Sequence, residues 1–159
     1  MTTVLLEARA EDFFEMLKGR APNGVLTLAS SELAPVPVLE MLAQLSAQIA
    51  ALFAPNAWMI VEDECLAGLV TLVAVPTDGA VTIGYGVTDS HRGCGVASRA
   101  VAQLLELMRA DERVNAVLAE TSVANPASQH VLRVNGFDVT GERDDPEDGL
   151  LICWCKALR

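Results

Sequence analysis

The apolar positions along the chain change period from segment to segment, and each change marks an element. Residues 4–8 read as a short first strand. Residues 11–18 read as a helix, stopped by Gly19 and the turn signal Pro22-Asn23-Gly24. Residues 25–36 fit either state: Val25, Leu26 and Leu28 suit a strand or a loop. Beyond them Leu39, Leu42, Leu45, Ile49 and Leu52 recur at helical spacing, predicting a long helix over 37–53 with Pro55 at its exit. Strands at 58–61 and 66–75 flank an acidic turn, Glu62-Asp63-Glu64. The turn Thr77-Asp78-Gly79 then leads into a strand at 81–88, an Asp-Gly between β-rich runs.

The second half alternates. A glycine-rich loop at 89–95 opens a helix whose inner stripe is Val101, Leu104, Leu105 and Met108, and residues 114–121 form the next strand. The helix over 125–135 has legible ends: Asn125 suits the cap, Pro126 the first helical position and Gly136 the residue after the last turn. Val131 and Val134 supply its inner face. Two final strands, 137–140 and 150–158, are joined by the charged stretch 142–149. Consecutive strands followed by this alternation give a mixed α/β (α+β) chain, residues 1–159 forming a single domain around one twisted mixed sheet flanked by helices.

Composition narrows the function. Of 159 residues 52% are hydrophobic and 20% charged, which excludes a disordered chain. Eleven Lys and Arg against 21 Asp and Glu leave a formal charge of −10, which would repel a phosphate backbone or an anionic leaflet. Neither nucleic acid nor membrane is an expected partner; cationic amines, peptides and basic proteins are. Cys65, Cys94, Cys153 and Cys155, with His91 and His130, show no metal-ligand spacing, so no metal is expected. The thiols read as reduced and the chain as cytoplasmic, since its first residues lack the basic and apolar regions of a signal peptide.

The most informative segment joins the strand ending Ile83-Gly84-Tyr85-Gly86-Val87 to the loop Arg92-Gly93-Cys94-Gly95 and the helix opening Val96-Ala97-Ser98. Without a Cβ at Gly93 and Gly95 the backbone turns tightly and approaches a ligand closely. The first amides of the following helix are unsatisfied, with the positive end of its dipole behind them, and a pyrophosphate suits such a site. Arg92 adds a positive charge. Paired glycines inside the strand point to a ligand lying against its backbone. The Walker pattern fails because no lysine follows Gly95, and the dinucleotide fingerprint fails because Ser98 stands at its third glycine.

Arg92-Gly93-Cys94-Gly95-Val96-Ala97 resembles the pyrophosphate loop of the GNAT superfamily of acetyl-coenzyme A-dependent N-acetyltransferases, (Gln/Arg)-x-x-Gly-x-(Gly/Ala). Downstream, Asn125, Ser128 and the pair Gly136-Phe137 resemble that family's next helix and strand, particularly in ribosomal-protein N-terminal acetyltransferases. The resemblance covers residues 57–158, and it implies a GNAT-like fold, acetyl-coenzyme A as co-substrate and a primary amine as acceptor. The amides of Gly93, Cys94, Gly95, Val96, Ala97 and Ser98, with Arg92, would bind the pyrophosphate. The backbone of Tyr85, Gly86 and Val87 would pair with pantetheine and polarise the thioester carbonyl. Asn125 would add a coenzyme contact to its capping role.

Catalytic roles follow from the same resemblance. Glu120, at the end of its strand, is the candidate general base, a shielded carboxylate tuned toward neutral pH; otherwise it is an exposed strand-end group. Glu62 and Glu64 are fallback bases or a solvated turn. Ser128 is a candidate hydrogen-bond donor to the departing sulfur. Many members carry a tyrosine acid where this chain has Leu132, and Tyr85, its single tyrosine, is the alternative. A non-catalytic acyl-coenzyme A sensor or assembly module is the rival class. A Cys94–His91 nucleophile is a third reading. His130 reads as a surface or packed side chain. The acidic run 142–148 is a solvated hairpin tip or a lure for a cationic amine. Peptide N-termini, aminoglycosides, polyamines and small amines all fit as acceptors, and helix 37–53 and the last strand offer surfaces for a homodimer.

Overall fold

Eight strands join in one mixed sheet in a computed structural model that describes residues 2–22, 25, 27–28 and 33–159. In chain order the elements are β1 (Thr3–Glu7), α1 (Ala10–Leu17), β2 (Thr27–Leu28), α2 (Val36–Ala50), β3 (Ala57–Glu62), β4 (Cys65–Leu72) and β5 (Ala80–Val87). A turn of 3-10 helix at Asp89–His91 follows, then α3 (Val96–Ala110), β6 (Ala116–Ser122), α4 (Pro126–Val134), β7 (Asp138–Asp145) and β8 (Gly149–Ala157). The sheet runs β1-β3-β4-β5-β6-β8-β7, with β2 parallel to the start of β4. The ambiguous segment 25–36 thus contains a two-residue strand; Leu26, Asn23 and Gly24 lie outside the described residues.

Strands β3 and β4 are buried on both faces, which is why residues 57–61 read as an unbroken apolar run, whereas β7 is exposed along nearly all its length. Trp58 and Ile60 pack with Val101, Leu104, Leu105 and Leu132 beneath α3 and α4. Ala57, Met59 and Val61 pack with Phe13, Met16 and Leu39 beneath α1 and α2.

Three sequence expectations need correction here. Leu52 was expected on the buried stripe of the second helix; α2 ends at Ala50, the helical period lapses, and Leu52 is 72% exposed while Phe53 turns into the core. Val134 was expected on the inner face of α4, but Leu132 is fully buried and Val134 lies about 200° further round the helix, in solvent. β7 extends to Asp145, so Glu142, Arg143, Asp144 and Asp145 belong to a strand and only residues 146–148 form the turn.

The feature that positions a site lies in mid-sheet. β5 and β6 run parallel, pairing from Ala80 with Ala116 to Ile83 with Ala119, and no further. On its other edge β5 stays paired to β4 as far as Val87 with Gly68. From Gly84 onward the β5 backbone therefore has one edge without a strand partner, and an unpaired strand edge is a template for another extended chain.

Candidate active site

A cavity of about 540 Å³ opens where β5 and β6 part, between the end of β5, the loop before α3 and the first turns of α4. Of the residues expected at the coenzyme site, Tyr85, Gly86, Val87, Arg92, Gly93, Gly95, Val96, Ala97, Ser98, Asn125 and Ser128 all line it. Cys94 does not: its side chain is exposed, with Sγ turned to the Arg92 carbonyl at 3.5 Å. Ala127, His130 and Val131 also line the cavity. Their spacing along α4 marks one face of the helix that Asn125 opens, a signal that would have brought His130 into the site from the sequence.

The loop folds as its glycines require. Gly93 and Gly95 adopt φ of +75° and +77°, a left-handed backbone that costs glycine nothing. Gly95 is the cap residue of α3, and no side chain caps that helix. Its first amides are therefore free for an anion. An added Cβ at Gly86 would meet nothing within 4 Å, so the strand there faces open space. Among the described lining residues there is no aspartate or glutamate, in a chain that carries 21 of them. The only formal charge is Arg92, whose guanidinium is shared with Asp89 at 2.9 Å. Free amides, a cation and no carboxylate fit a diphosphate.

Across the cavity α4 is fixed by its cap: the Ser128 amide donates to Asn125 Oδ1 at 3.1 Å. The Tyr85 side chain reaches from β5 to the same turn. Its hydroxyl lies 2.9 Å from Ser128 Oγ and donates to the Ser128 carbonyl at 3.1 Å. Burial raises the tyrosine pKa above its ordinary value, opposed in part by the Ser128 hydrogen bond, so the phenol stays protonated. Leu132 is in the core without exposure and presents nothing to the cavity.

Glu120 stands apart. It is one residue beyond the last β5–β6 pair and does not line the cavity. Its neighbours Ala119 and Thr121 are buried, so alternation along the strand puts Glu120 on the sheet face away from α3 and α4. Arg143 on β7 grips it with two bonds, Nε to Oε2 at 2.7 Å and Nη2 to Oε1 at 2.9 Å, and Cys153 Sγ lies 3.7 Å from Oε2. The expected tuning toward neutral pH is not what this environment does. The Arg143 hydrogen bonds hold the Glu120 pKa below its ordinary value, outweighing the partial burial that would raise it. The same burial, together with the Glu120 charge, pushes the Cys153 thiol up.

Two other expectations resolve differently. Glu62 is not in a solvated turn: it ends β3, is 3% exposed and is paired with Arg99. The Cys94–His91 pair does not form, since His91 Nδ1 bonds to Thr88 Oγ1 at 2.9 Å while Cys94 turns away.

Residues 5–138 match the model of the acetyltransferase (GNAT) domain. A ribosomal-protein-serine acetyltransferase of Escherichia coli (strain K12) is 28% identical over 85 residues, 53% of this chain, and the match spans about half (48%) of that relative's length. Among solved structures, a spermidine N-acetyltransferase chimera from Vibrio cholerae superposes with a TM-score of 0.74 at 16% identity, covering 99% of this chain and 96% of its own. A RimL ribosomal-protein alpha-N-acetyltransferase in complex with coenzyme A superposes with a TM-score of 0.74 at 17% identity, covering 99% and 94%. At those identities the superpositions establish the likeness of fold. Among the described residues no helix is long and apolar enough to cross a membrane.

Proposed function

The chain belongs to the acetyltransferase (GNAT) family, and from that premise we propose that it transfers an acetyl group from acetyl-coenzyme A to a primary amine. The observation that carries the reading is the cavity without a carboxylate, walled by an uncapped helix start on one side and an unpaired strand edge on the other. Acetyl-coenzyme A supplies an activated acetyl thioester with an anionic diphosphate handle.

Residues 93–98, with Arg92, hold the diphosphate through backbone amides. The free edge of β5 at residues 84–87 pairs with the extended arm, and a backbone N–H there faces the charge that develops on the carbonyl oxygen. The amine nitrogen attacks that carbonyl carbon; the new C–N bond forms, the C–S bond breaks and sulfur leaves as a thiolate. A thiol pKa of about 8.5 makes that departure easy, so full proton transfer from a group is not needed. A hydrogen bond suffices, and Ser128 Oγ is the donor: with the Tyr85 hydroxyl donating to Oγ, the serine's own proton is left for sulfur. Asn125 holds the Ser128 turn in place.

Glu120 receives the acceptor's proton on the far side of the gap, directly or through water, and passes it to solvent. Gripped by Arg143, it is a weak base, and this bears on the acceptor. An α-amine of pKa about 8 needs only about 1.4 kcal/mol to lose its proton at pH 7, whereas an ε-amine of pKa about 10.4 needs about 4.6 kcal/mol. The arrangement therefore favours a peptide or protein N-terminus over a strongly basic amine. That preference accords with the ribosomal-protein acetyltransferases among the similar proteins.

A thiol-release assay over a panel of peptide N-termini, polyamines and aminoglycosides tests the proposal. Turnover concentrated on α-amines supports it. Coenzyme binding without thiol release from any amine would instead make the chain an acyl-coenzyme A sensor, and turnover confined to polyamines would refute the acceptor preference.

A further inference from the structure

We propose that Arg99 is a positioning residue for the coenzyme loop, anchored from behind by the buried carboxylate of Glu62. The inference rests on reading residues 93–98 as the diphosphate cradle. Arg99 lies in the first turns of α3, and its guanidinium divides among three partners. Nε donates to Thr3 Oγ1 at 2.8 Å, Nη2 to Glu62 Oε1 at 3.2 Å, and Nη1 to the Cys94 carbonyl at 2.9 Å. The first two partners sit on β1 and β3; the third is in the loop itself.

Glu62 explains why the arginine stays. Its side chain is 4% exposed, and its other oxygen accepts the Thr3 hydroxyl. A carboxylate this buried is strongly destabilising unless a cation compensates it, and Arg99 is the one paired to it. The planar fork of guanidinium, held on two sides, has a donor left to hold the loop. Because a peptide group is planar and trans, fixing the Cys94 carbonyl toward Arg99 fixes the Gly95 N–H in the opposite direction. Gly95 lines the cavity.

A purely structural role would not need that third bond. The tie between α3 and β1 is made independently by Gln103, whose side chain donates to the Thr3 carbonyl and accepts the Leu5 amide at 3.2 Å. Glu62 and Thr3 would likewise be satisfied by a cation that never touched the loop. What Arg99 adds is a rigid link from the sheet to the one carbonyl in the glycine turn that must not swing.

The test is Arg99→Lys. A lysine keeps the charge beside Glu62, but its single nitrogen cannot span Thr3, Glu62 and Cys94. The expected result is a folded protein whose affinity for coenzyme A, by titration calorimetry, falls about tenfold. The KM for acetyl-coenzyme A rises by the same factor, with kcat and the KM for the amine unchanged. Gln103→Ala, which loosens α3 against β1, should lower thermal stability and leave coenzyme affinity alone. Should Arg99→Lys fail to fold, the double variant Glu62→Gln with Arg99→Met removes the buried charge together with its partner and must show the same loss. Wild-type affinity in a folded Arg99→Lys or double variant overturns the inference while leaving the proposed reaction standing. Absence of coenzyme binding by the wild-type chain overturns both.

Discussion

Gly93 and Gly95 share a left-handed backbone but not their surroundings, and alanine at each separates the cost of conformation from the cost of disturbing Arg99. At Gly93 an added Cβ would meet nothing within 4 Å; at Gly95 it would come within 2.9 Å of Arg99 Nη1. Gly93→Ala therefore carries only the left-handed penalty, roughly 1–2 kcal/mol. Gly95→Ala carries that penalty and also pushes the guanidinium off the Cys94 carbonyl. A hydrogen bond from a charged group is worth roughly 1.5–3 kcal/mol, and the partly exposed Arg99 side chain puts this one near the lower end. The total for Gly95→Ala comes to roughly 2.5–4 kcal/mol. Urea unfolding of both variants should place Gly95→Ala about 1.5–2 kcal/mol below Gly93→Ala. Titration with coenzyme A should show it about tenfold weaker, since about 1.4 kcal/mol corresponds to a factor of ten. Equal destabilisation, or a larger loss at Gly93, would refute the claim that Arg99 and the loop are mechanically joined.

Two further outcomes test the chemistry. Tyr85→Phe removes the hydroxyl that orients Ser128; kcat should fall roughly tenfold with the coenzyme KM unchanged, and an unaltered kcat would remove Tyr85 from the reaction. The pH dependence follows from the Arg143 hydrogen bonds that hold the Glu120 pKa below its ordinary 4.5. A carboxyl depressed in the folded state contributes stability that is complete above the ordinary value and lost as the pH falls through the folded one. Arg143→Met should therefore reduce the slope of stability against pH below about 4.5 in acid unfolding. For catalysis the same depression puts no Glu120 limb near neutrality. The acid limb of kcat/KM should move with the pKa of the acceptor when two amines are compared, and a limb fixed at about pH 6–7 for both would contradict this.

How much of this was readable beforehand divides by the range of the chemistry. The glycine loop at the cavity was legible because its parts are sequence neighbours: two spaced glycines, an arginine and a helix start within seven residues, 92–98. The Asn125 cap was legible for the same reason, since Asn125 needs only Ser128, three positions on. Glu62 was not legible. Beside Asp63 and Glu64 it looks like part of a solvated turn, and its partners Thr3 and Arg99 stand 59 and 37 positions away. No local pattern predicts that a strand end will be covered by a helix from the other half of the chain. Leu132 and Val134 stand two residues apart within one turn of a short helix, and apolar periodicity over nine residues leaves the buried face uncertain by a residue or two. Glu120 was correctly placed at a strand end, but Arg143 sits two strands away in sheet order and came from a stretch that read as a hairpin tip.

The charges of the two proposed substrates give the sheet its logic. A coenzyme with a diphosphate approaches a chain of net charge −10, and at distances beyond a Debye length of about 8–10 Å salt screens most of that repulsion. What remains is decided within the cavity, where none of the described lining residues is a carboxylate and, in the proposed binding mode, the amides of residues 93–98 set the local field. The acceptor is a cation before it reacts, and the carboxylates collect where it would enter: Glu120 and Asp145 flank Arg143 on the far side of the gap. In the proposed reaction Arg143 has a use beyond holding Glu120. There it would keep that corner from being so negative that a cationic amine is trapped as an ion pair instead of giving up its proton. Beyond the last β5–β6 pair, Ile83 with Ala119, the ladder opens, and the gap joins the two faces of the sheet. A parallel pair that opens at one end allows an anion on one face and a cation on the other to meet through a break in the hydrogen-bond ladder, which an unbroken sheet would have closed.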